Sequence, residues 1–221
     1  MYELLNELMQ ISIIHPSRGR AAMAQDACRA WLDKCSNVGN IEYILSLDYD
    51  DKENQLRYYN LFFEQIKKDY KLNLIIEFNY NRNVVDAMNA GAAISKGELL
   101  VCISDDFDCP LDWDKAIITN INKETPCALG TIDGIKKDGE VLTLPIMNRL
   151  LYNQLGYIYF PEYTGLFADN DLAELCITKG YYKKTDLKFP HKHFSTIPGN
   201  RPDDTHKRHN TAFQHTAGQQ L

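Results

Sequence analysis

Two adjacent aspartates, Asp105 and Asp106, follow the most apolar segment of the chain, residues 98–104. Two carboxylates side by side at the end of a buried strand repel each other and lose hydration, so a cation or strong hydrogen-bond donors must compensate. Mg²⁺ and Mn²⁺ prefer carboxylate oxygens and readily share ligands with substrate phosphates. The pair is therefore a candidate metal or substrate site. The alternative is a helix N-terminal cap, which fully accounts for the nearby Asp112.

Three arginines are candidate phosphate ligands. Arg18 and Arg20, in the segment HPSRGR, lie between the first predicted strand and the helix that follows it, and Arg82 lies after the third predicted strand. The guanidinium group is a planar donor that matches phosphate, and such loops also offer free backbone N–H groups. Because the helix dipole disfavours positive charge at a helix start, a ligand explains Arg18 and Arg20 better than solvation does. Arg82 fits either explanation.

The histidines are concentrated near the end of the chain. Five of the six lie between positions 191 and 215, namely His191, His193, His206, His209 and His215. In an extended segment, residues two positions apart share a face, so the rings of His191 and His193 are placed to approach one metal ion or anion. Surface histidines are also common in polar segments. Metal or anion binding and simple solvation therefore both remain open for this pair.

Asp169 and Asp171 lie at the start of a predicted helix, in the segment FADNDLAEL. Asp169 is a suitable helix N-cap, because its carboxylate can accept hydrogen bonds from the first free N–H groups. Its functional alternative is a general base that takes the proton of an acceptor hydroxyl as a new bond forms. The residues by themselves do not choose between these roles.

Alternating strands and helices must position these side chains. The predicted strands are residues 11–14, 41–47, 72–78, 98–104 and 126–132, and the predicted helices are residues 20–35, 56–70, 83–95 and 113–121. Further along, helices are predicted over 147–155 and 169–179 and a strand over 156–160. Helical crossovers of this length require a mostly parallel sheet covered on both faces, with ligands beyond the carboxyl ends of its strands. The polar clusters described above follow those ends.

The composition of the chain argues against several classes of protein. The chain has 221 residues, is 44% hydrophobic and carries a formal net charge of −6, which argues against broad nucleic-acid binding. Six cysteines without a C-x-x-C pair predict reduced thiols in a cytosolic protein. The segment MYELLNELMQ has two glutamates and no basic region, so it is not a predicted signal peptide. No apolar run approaches the roughly 20 residues of a membrane span, and the predicted location is cytoplasmic.

These motifs together resemble the nucleotide-sugar glycosyltransferases of the A fold, and most closely the broad family 2 type. The resemblance is carried by HPSRGR, IEYILSLDYDD, NVVDAMNAGAAISKGELL and ISDDFDCPLDW, and more loosely by FADNDLAEL and FPHKHF. It implies one mostly parallel, twisted, Rossmann-like sheet flanked by helices, with a smaller irregular acceptor-side region. The corresponding domain is residues 1–198, with a nucleotide-binding half at 11–115, an acceptor half at 116–198 and a polar tail at 199–221.

The resemblance also implies roles for the residues of the nucleotide pocket. Pro16, Ser17 and Arg18 would line it, Asp48 would contact the base, and Arg82 would lie close to the base or a phosphate. The expected donor is a nucleoside diphosphate sugar, UDP-linked in most relatives. The expected acceptor is a hydroxyl group of a glycan or another molecule.

A divalent cation, Mn²⁺ or Mg²⁺, is the implied cofactor. The segment SDD at 104–106 takes the place of the family's D-x-D motif, so Asp106 would bind the metal and Asp105 the ribose or a metal-bound water. The first acidic position of the motif is a serine here, which leaves Asp108 as a further candidate ligand. His191 or His193 would complete the metal shell.

The family's acidic E-D-x-D-L stretch corresponds to ADNDL, which makes Asp169 the implied base and Asp171 the reserve, because the expected preceding Glu is Ala168. A single base opposite the leaving group implies direct displacement with inversion at the anomeric carbon.

Two other functions share some of these features. A sugar-1-phosphate nucleotidyltransferase would have a similar early sheet, but HPSRGR contains no lysine and little glycine. A non-catalytic metal- or glycan-binding module could use the acidic and histidine clusters without transfer. The glycine motifs of dinucleotide-binding dehydrogenases and of NTPases are absent.

Overall fold

A computed structural model describes residues 10–135 and 141–192 of the chain. Seven strands form one sheet: β1 (Ile11–Ser17), β2 (Ile41–Asp48), β3 (Asn73–Asn79), β4 (Leu99–Cys102), β5 (Ala128–Ile132), β6 (Ile146–Asn148) and β7 (Tyr182–Lys188). The helices are α1 (Ala21–Asp33), α2 (Lys52–Tyr59), α3 (Lys67–Tyr70), α4 (Val84–Ile94), α5 (Trp113–Asn120), α6 (Arg149–Leu155) and α7 (Ala168–Lys179). A π-helical stretch (Asn60–Ile66) joins α2 to α3, and a 3-10 turn (Val38–Asn40) precedes β2.

The strand order is β3-β2-β1-β4-β6-β5-β7. Only β6 is antiparallel to its neighbours, β4 and β5, while the other pairings in the sheet are parallel. The sheet reverses its order at β1, because β2 and β3 lie on one side and β4 on the other. Ligands of doubly wound sheets bind at the carboxyl ends of the strands around such a switch point. The mostly parallel sheet predicted from the sequence is therefore confirmed. Its switch point places the expected ligand site at the carboxyl ends of β1 and β4.

Both faces of the sheet are covered, as a parallel sheet requires. On one face, α1, α5 and the π-helical stretch pack through Trp31, Trp113 and Phe62 against the strands. On the other, α4 and α7 contribute Val85 and Leu172, and α6 adds buried side chains of its own. The apolar residues of α1 recur at helical spacing, which explains why this segment forms a helix with one buried side. None of the helices within the two described ranges is long and apolar enough to cross a membrane.

Strand β1 extends further than the sequence predicts. Proline usually marks the end of a central strand because it lacks an N–H group. Here β4 pairs with β1 only as far as Ile14, and beyond that point β1 pairs with β2 alone, through Ser17. Pro16 therefore occupies what is locally an edge position, where no hydrogen bond is lost. As a result His15 belongs to the strand.

The strand predicted over 156–160 is wrong. The backbone N–H groups of Ile158 and Tyr159 donate to the side-chain oxygen of Asn89, at 2.8 and 3.1 Å, and the Asn89 amide donates to the Tyr159 carbonyl at 2.7 Å. One side chain of α4 thus takes the place of a neighbouring strand. The helix predicted over 147–155 begins at Arg149, after the short strand β6. The predicted tail at 199–221 lies outside the described residues.

Replacing Gly97 by alanine is expected to destabilise the fold. A Cβ atom at Gly97 would lie 2.5 Å from the Ser12 nitrogen and 2.8 Å from the Gln10 carbonyl oxygen, both of them backbone atoms. Overpacking of this kind costs about 1–3 kcal/mol, or a Tm lower by about 2–12 °C in a chain of this size. Thermal unfolding measures the change. Replacing the exposed neighbour Lys96 by alanine is the control, and an equal Tm for both variants would contradict the prediction.

Candidate active site

A cleft of about 320 Å³ opens at the carboxyl ends of β1, β2 and β3. Its lining includes Pro16, Ser17, Arg18 and Arg20 after β1, Asp48 and Asp50 at the end of β2, and Asn81, Arg82 and Asn83 before α4. This volume is typical of a small-molecule site. The cleft brings together five residues that the sequence assigns to one nucleotide pocket, from segments up to 66 positions apart (Pro16 and Arg82).

One end of the cleft is an arginine held between two aspartates. Arg18 Nη1 donates to Asp48 Oδ2 at 2.6 Å and to Asp50 Oδ1 at 2.5 Å, and Nη2 donates to Asp50 Oδ2 at 3.1 Å. These hydrogen bonds raise the pKa of Arg18, with the bond to Asp50 contributing most. The amide of Asn81 donates to the other oxygen of Asp48 at 2.9 Å. The Asp48 carboxylate is therefore held in one orientation through both oxygens.

Arg82 lies on the rim of the cleft, with 73% of its side chain exposed. Its Nε and Nη2 donate to the two oxygens of Asp86 at 2.7 and 2.9 Å. This bidentate contact lowers the pKa of Asp86, against the opposing effect of burial. Asn83 caps α4 by accepting a hydrogen bond from the Asp86 N–H at 3.0 Å. Arg82 thus stands at the mouth of the cleft, joined to the first turn of α4.

Asp105 is buried behind the cleft and contacts its wall through hydrogen bonds and an ion pair. His15 Nε2 lies 2.7 Å from Asp105 Oδ1, Ser17 Oγ donates to Oδ2 at 3.1 Å, and Arg20 Nε lies 2.9 Å from Oδ2. A buried carboxylate requires such partners. The predicted role of Asp105 as a residue of the nucleotide pocket fits this arrangement, because Ser17 and Arg20 both line the cleft.

Two buried tyrosines support this group from behind. The Tyr58 hydroxyl lies 2.8 Å from Ser17 Oγ and accepts from the Arg20 N–H at 3.0 Å, while the Tyr43 hydroxyl lies 2.6 Å from His15 Nδ1. Burial raises the pKa of Tyr58 to about 12 and that of Tyr43 well above its usual value. Both tyrosines therefore keep their hydroxyl hydrogens and remain available as donors.

Asp106 and His191 form a second polar pair next to Asp105. His191 Nε2 lies 3.2 Å from Asp106 Oδ2, and Ser104 Oγ donates to Asp106 Oδ1. Burial by itself would raise the pKa of Asp106. The hydrogen bonds from His191 and Ser104, helped by the charges of His191 and Arg20, outweigh it and lower that pKa to about 2. Asp106 is therefore a carboxylate at neutral pH.

The spacing of this pair is compatible with two ligands of one divalent cation. Two ligands about 2.1 Å from a cation and at right angles to each other lie about 3.0 Å apart. The 3.2 Å separation of the Asp106 oxygen and the His191 nitrogen is close to that value. Residues 10–135 and 141–192 contain no group of three or more His, Cys, Asp or Glu side chains arranged around one metal position. Mg²⁺ and similar ions commonly take only one or two protein ligands and fill the remaining positions with phosphates and water.

The segment after β7 brings His191 to this position. The His191 N–H donates to the Asp133 carbonyl at 2.9 Å, the Lys192 N–H donates to the Asp106 carbonyl at 2.8 Å, and the rings of His191 and Phe107 stack with centroids 4.2 Å apart. Backbone pairing and stacking thus fix His191 against the acidic loop. His193, the alternative metal ligand predicted from the sequence, lies outside the described residues.

Asp108 has different partners from those expected of a metal ligand. Lys34 Nζ lies 2.5 Å from Asp108 Oδ1, Lys192 Nζ lies 3.6 Å from Oδ2, and the Cys109 N–H donates to Oδ1 at 2.8 Å. The lysines and this amide lower the pKa of Asp108 in spite of its partial burial. Both oxygens of Asp108 therefore face cations of the protein itself.

Asp169 and Asp171 both lie in the first turn of α7, where negative charge is favourable. The N-cap residue is Phe167, in the left-handed conformation at φ 66°, so the N-cap considered for Asp169 is not its role. Asp171 faces the aromatic loop that precedes the helix, where burial first and then its charge raise the pKa of Tyr157 and Tyr163. Asp169 lies nearer to the buried Tyr159.

Sequence reasoning missed several polar residues that line the cleft or lie behind it. His15 was placed outside β1 because of the proline that follows it. The sequence assigns no role to Asp50 or Asn81, and Tyr58 falls within the helix predicted over 56–70. The strongest available signal was the group of three aspartates within residues 48–51, at the end of β2, of which Asp48 and Asp50 contact Arg18 in the structure.

The sheet order, the cleft at the switch point and the acidic loop after β4 define an α/β protein of the A-fold glycosyltransferase type. The family profile described as "Glycosyl transferase family 2" matches residues 12–202, and the chain belongs to this family. A comparison with curated proteins finds no match.

Solved structures share the fold. A mannosyltransferase from Pyrobaculum calidifontis, in complex with GDP-Man and Mn²⁺, has a TM-score of 0.63 and 15% identity, over 83% of this chain and 57% of its own. S. aureus TarS 1–349 in complex with UDP has a TM-score of 0.57 and 14% identity, over 80% of this chain and 61% of its own. The same protein with UDP-GlcNAc has a TM-score of 0.56 and 15% identity, over 80% and 59%. The chain therefore spans about 60% of the length of these relatives.

Proposed function

We propose that this protein transfers a sugar from a nucleoside diphosphate sugar, with UDP as the nucleotide, to a hydroxyl group of a glycan or another acceptor. The observation that carries the proposal is the arrangement at the carboxyl ends of β1, β2 and β4. There a cleft with Arg18, Asp48 and Arg82 adjoins the buried Asp105, and the metal-compatible pair Asp106 and His191 follows directly. Family membership supports the reaction type.

Donor binding follows from the charges along the cleft. The oriented carboxylate of Asp48 is suited to accept a hydrogen bond from a ring N–H of the base, which places the base at the Arg18 end. The diphosphate would then extend toward Arg20, which lies between the cleft and the acidic loop. Arg82 on the rim is the remaining cation of the lining and would contact the base or a phosphate.

Asp106 and His191 would hold the cation, Mn²⁺ or Mg²⁺. When bound, this ion would neutralise charge on the diphosphate leaving group. Ser104 donates to the oxygen of Asp106 that does not face His191, which leaves Oδ2 directed toward the metal position. Asp105, held by the wall of the cleft, would bind the ribose or a metal-bound water.

Transfer requires a base on the acceptor side, and Asp169 is our candidate, with Asp171 as the alternative. Asp169 is half-buried, and its own side chain accepts a hydrogen bond from the Asn170 N–H at 3.1 Å. A carboxylate in this position would take the acceptor proton as the hydroxyl oxygen attacks the anomeric carbon. Attack from the side opposite the diphosphate gives inversion.

The six cysteines are all unbonded thiols, which supports a reducing, cytoplasmic location.

Calorimetry with UDP and with GDP, each with and without Mn²⁺, tests the proposal. A metal-dependent dissociation constant in the micromolar range is expected for UDP, because the cleft supplies contacts to the nucleotide and the cation joins its phosphates to Asp106. Tighter binding of GDP would change the assigned nucleotide but not the reaction class. Binding of Mn²⁺ with neither nucleotide bound would support the non-catalytic module instead and overturn the proposal. A panel of nucleotide sugars then identifies the donor by thermal stabilisation.

A further inference from the structure

The side chain of His15 is completely buried near the carboxyl end of β1, and both of its ring nitrogens have polar partners. Nδ1 lies 2.6 Å from the Tyr43 hydroxyl, and Nε2 lies 2.7 Å from Asp105 Oδ1. Buried polar groups are retained only where their hydrogen bonds are satisfied. Two consecutive hydrogen bonds therefore connect Tyr43, in the interior of the sheet, through His15 to Asp105, the first aspartate of the acidic loop.

The chemistry of Tyr43 and Asp105 indicates which atom donates in each of the two hydrogen bonds to His15. A carboxylate can only accept, so the ring hydrogen of Nε2 points to Asp105. In the neutral ring Nδ1 is then an acceptor, and its partner Tyr43 retains its hydroxyl hydrogen because burial raises the pKa of that phenol. With the ring in that tautomer, Tyr43 donates to His15, which donates to Asp105. Hydrogen bonding at one ring nitrogen thus determines which hydrogen the other presents.

Asp105 is held from two sides. His15 contacts Oδ1, while Ser17 and Arg20, which line the cleft, contact Oδ2. Loss of the His15 contact would leave Oδ1 without its buried donor and free the carboxylate to rotate away from the cleft wall. An aliphatic residue at position 15 would fill the space but could not prevent that rotation.

We propose that His15 is a positioning residue, which acts through Asp105 to orient the acidic loop for the nucleotide and its metal ion. The inference rests on the proposed function of the cleft. His15 itself touches neither the cleft nor the reacting groups, and its effect is transmitted by the hydrogen bond to Asp105. Partners of this kind typically change affinity or activity by about 10- to 100-fold when they are removed.

Two amide substitutions at position 15 distinguish a role in positioning Asp105 from a role in filling the buried space. In His15→Gln, the side-chain nitrogen can reach the place of Nε2 and donate to Asp105. In His15→Asn, the shorter side chain reaches only the place of Nδ1, next to Tyr43. Both variants place a polar amide in the same buried site, so thermal unfolding should give similar Tm values. We expect His15→Gln to bind UDP and Mn²⁺ within about threefold of wild type, and His15→Asn to lose at least about tenfold.

Equal affinities of the two amide variants, whether both are preserved or both are lost, would overturn the positioning role. Tyr43→Phe provides a second measurement, because it removes the donor to Nδ1 but leaves every residue of the cleft in place. A loss of about threefold to tenfold is expected, and an unchanged affinity would contradict a contribution of the Tyr43 contact to the position of His15. Failure of wild-type protein to bind any nucleoside diphosphate would instead refute the function of the cleft, an outcome distinct from failure of the His15 proposal.

Discussion

Replacing Asp106 by asparagine is expected to abolish metal-dependent nucleotide binding. The amide has nearly the same shape but carries no charge, and only one of its two heavy atoms can bind a cation. Asp106 supplies the one carboxylate of the proposed ligand pair, so its replacement removes the charged oxygen ligand that a divalent cation prefers. The affinity for UDP with Mn²⁺ should fall at least about 100-fold, equivalent to about 2.7 kcal/mol. Calorimetry measures this directly, and binding without Mn²⁺ should change little.

The neighbouring acid supplies the matched control. Asp108 lies in the same loop and has the same chemistry, but its oxygens face Lys34 and Lys192. Asp108→Asn should keep metal-dependent binding within about threefold, since loss of a largely surface ion pair is a small effect. If Asp108→Asn loses binding and Asp106→Asn retains it, the metal ligand has been assigned to the wrong aspartate.

Asp169→Asn is expected to stop transfer while nucleotide binding persists. A general base typically contributes about 10²- to 10⁴-fold to the rate, and an amide cannot accept the acceptor proton. The UDP affinity with Mn²⁺ should stay near the wild-type value, because Asp169 belongs to the first turn of α7 and not to the lining of the cleft. Product formation from the identified donor, followed at saturating donor and acceptor, provides the measurement.

Asp171→Asn is the companion variant, because the two aspartates share one helical turn. Asp171 faces Tyr157 and Tyr163, so its replacement should alter the acceptor KM more than kcat. The reverse result, with Asp171→Asn inactive and Asp169→Asn active, would transfer the role of base to Asp171.

His15 and Arg18 differ in how far the sequence by itself indicates their roles. Arg18 was identified because an arginine in a strand-to-helix loop has few structural reasons to be there. His15 was passed over because Pro16 appeared to end the strand, an inference that holds for strands paired on both sides. The early end of the β1–β4 pairing removes that condition, and no local pattern reveals it. The strand predicted over 156–160 is wrong because of another contact that no local pattern reveals. The Asn89 side chain accepts hydrogen bonds from the backbone N–H groups of Ile158 and Tyr159.

Up to β5, the order of strands and helices was determined by the sequence itself, because apolar periodicity is a local property and right-handed crossovers leave few topologies for such an order. It followed that polar loops would meet at one edge of the sheet. Beyond β5 the order was not determined in this way: β6 overlaps a segment predicted as helix, and no strand was predicted at β7. Which side chains contact each other at that edge was decided only by the tertiary structure. His15 and Asp105 are 90 positions apart, and Arg18 and Asp48 are 30 apart. Contacts across such separations depend on strand register and on side-chain rotamers selected by surrounding packing, neither of which is encoded in the spacing of residues along the chain.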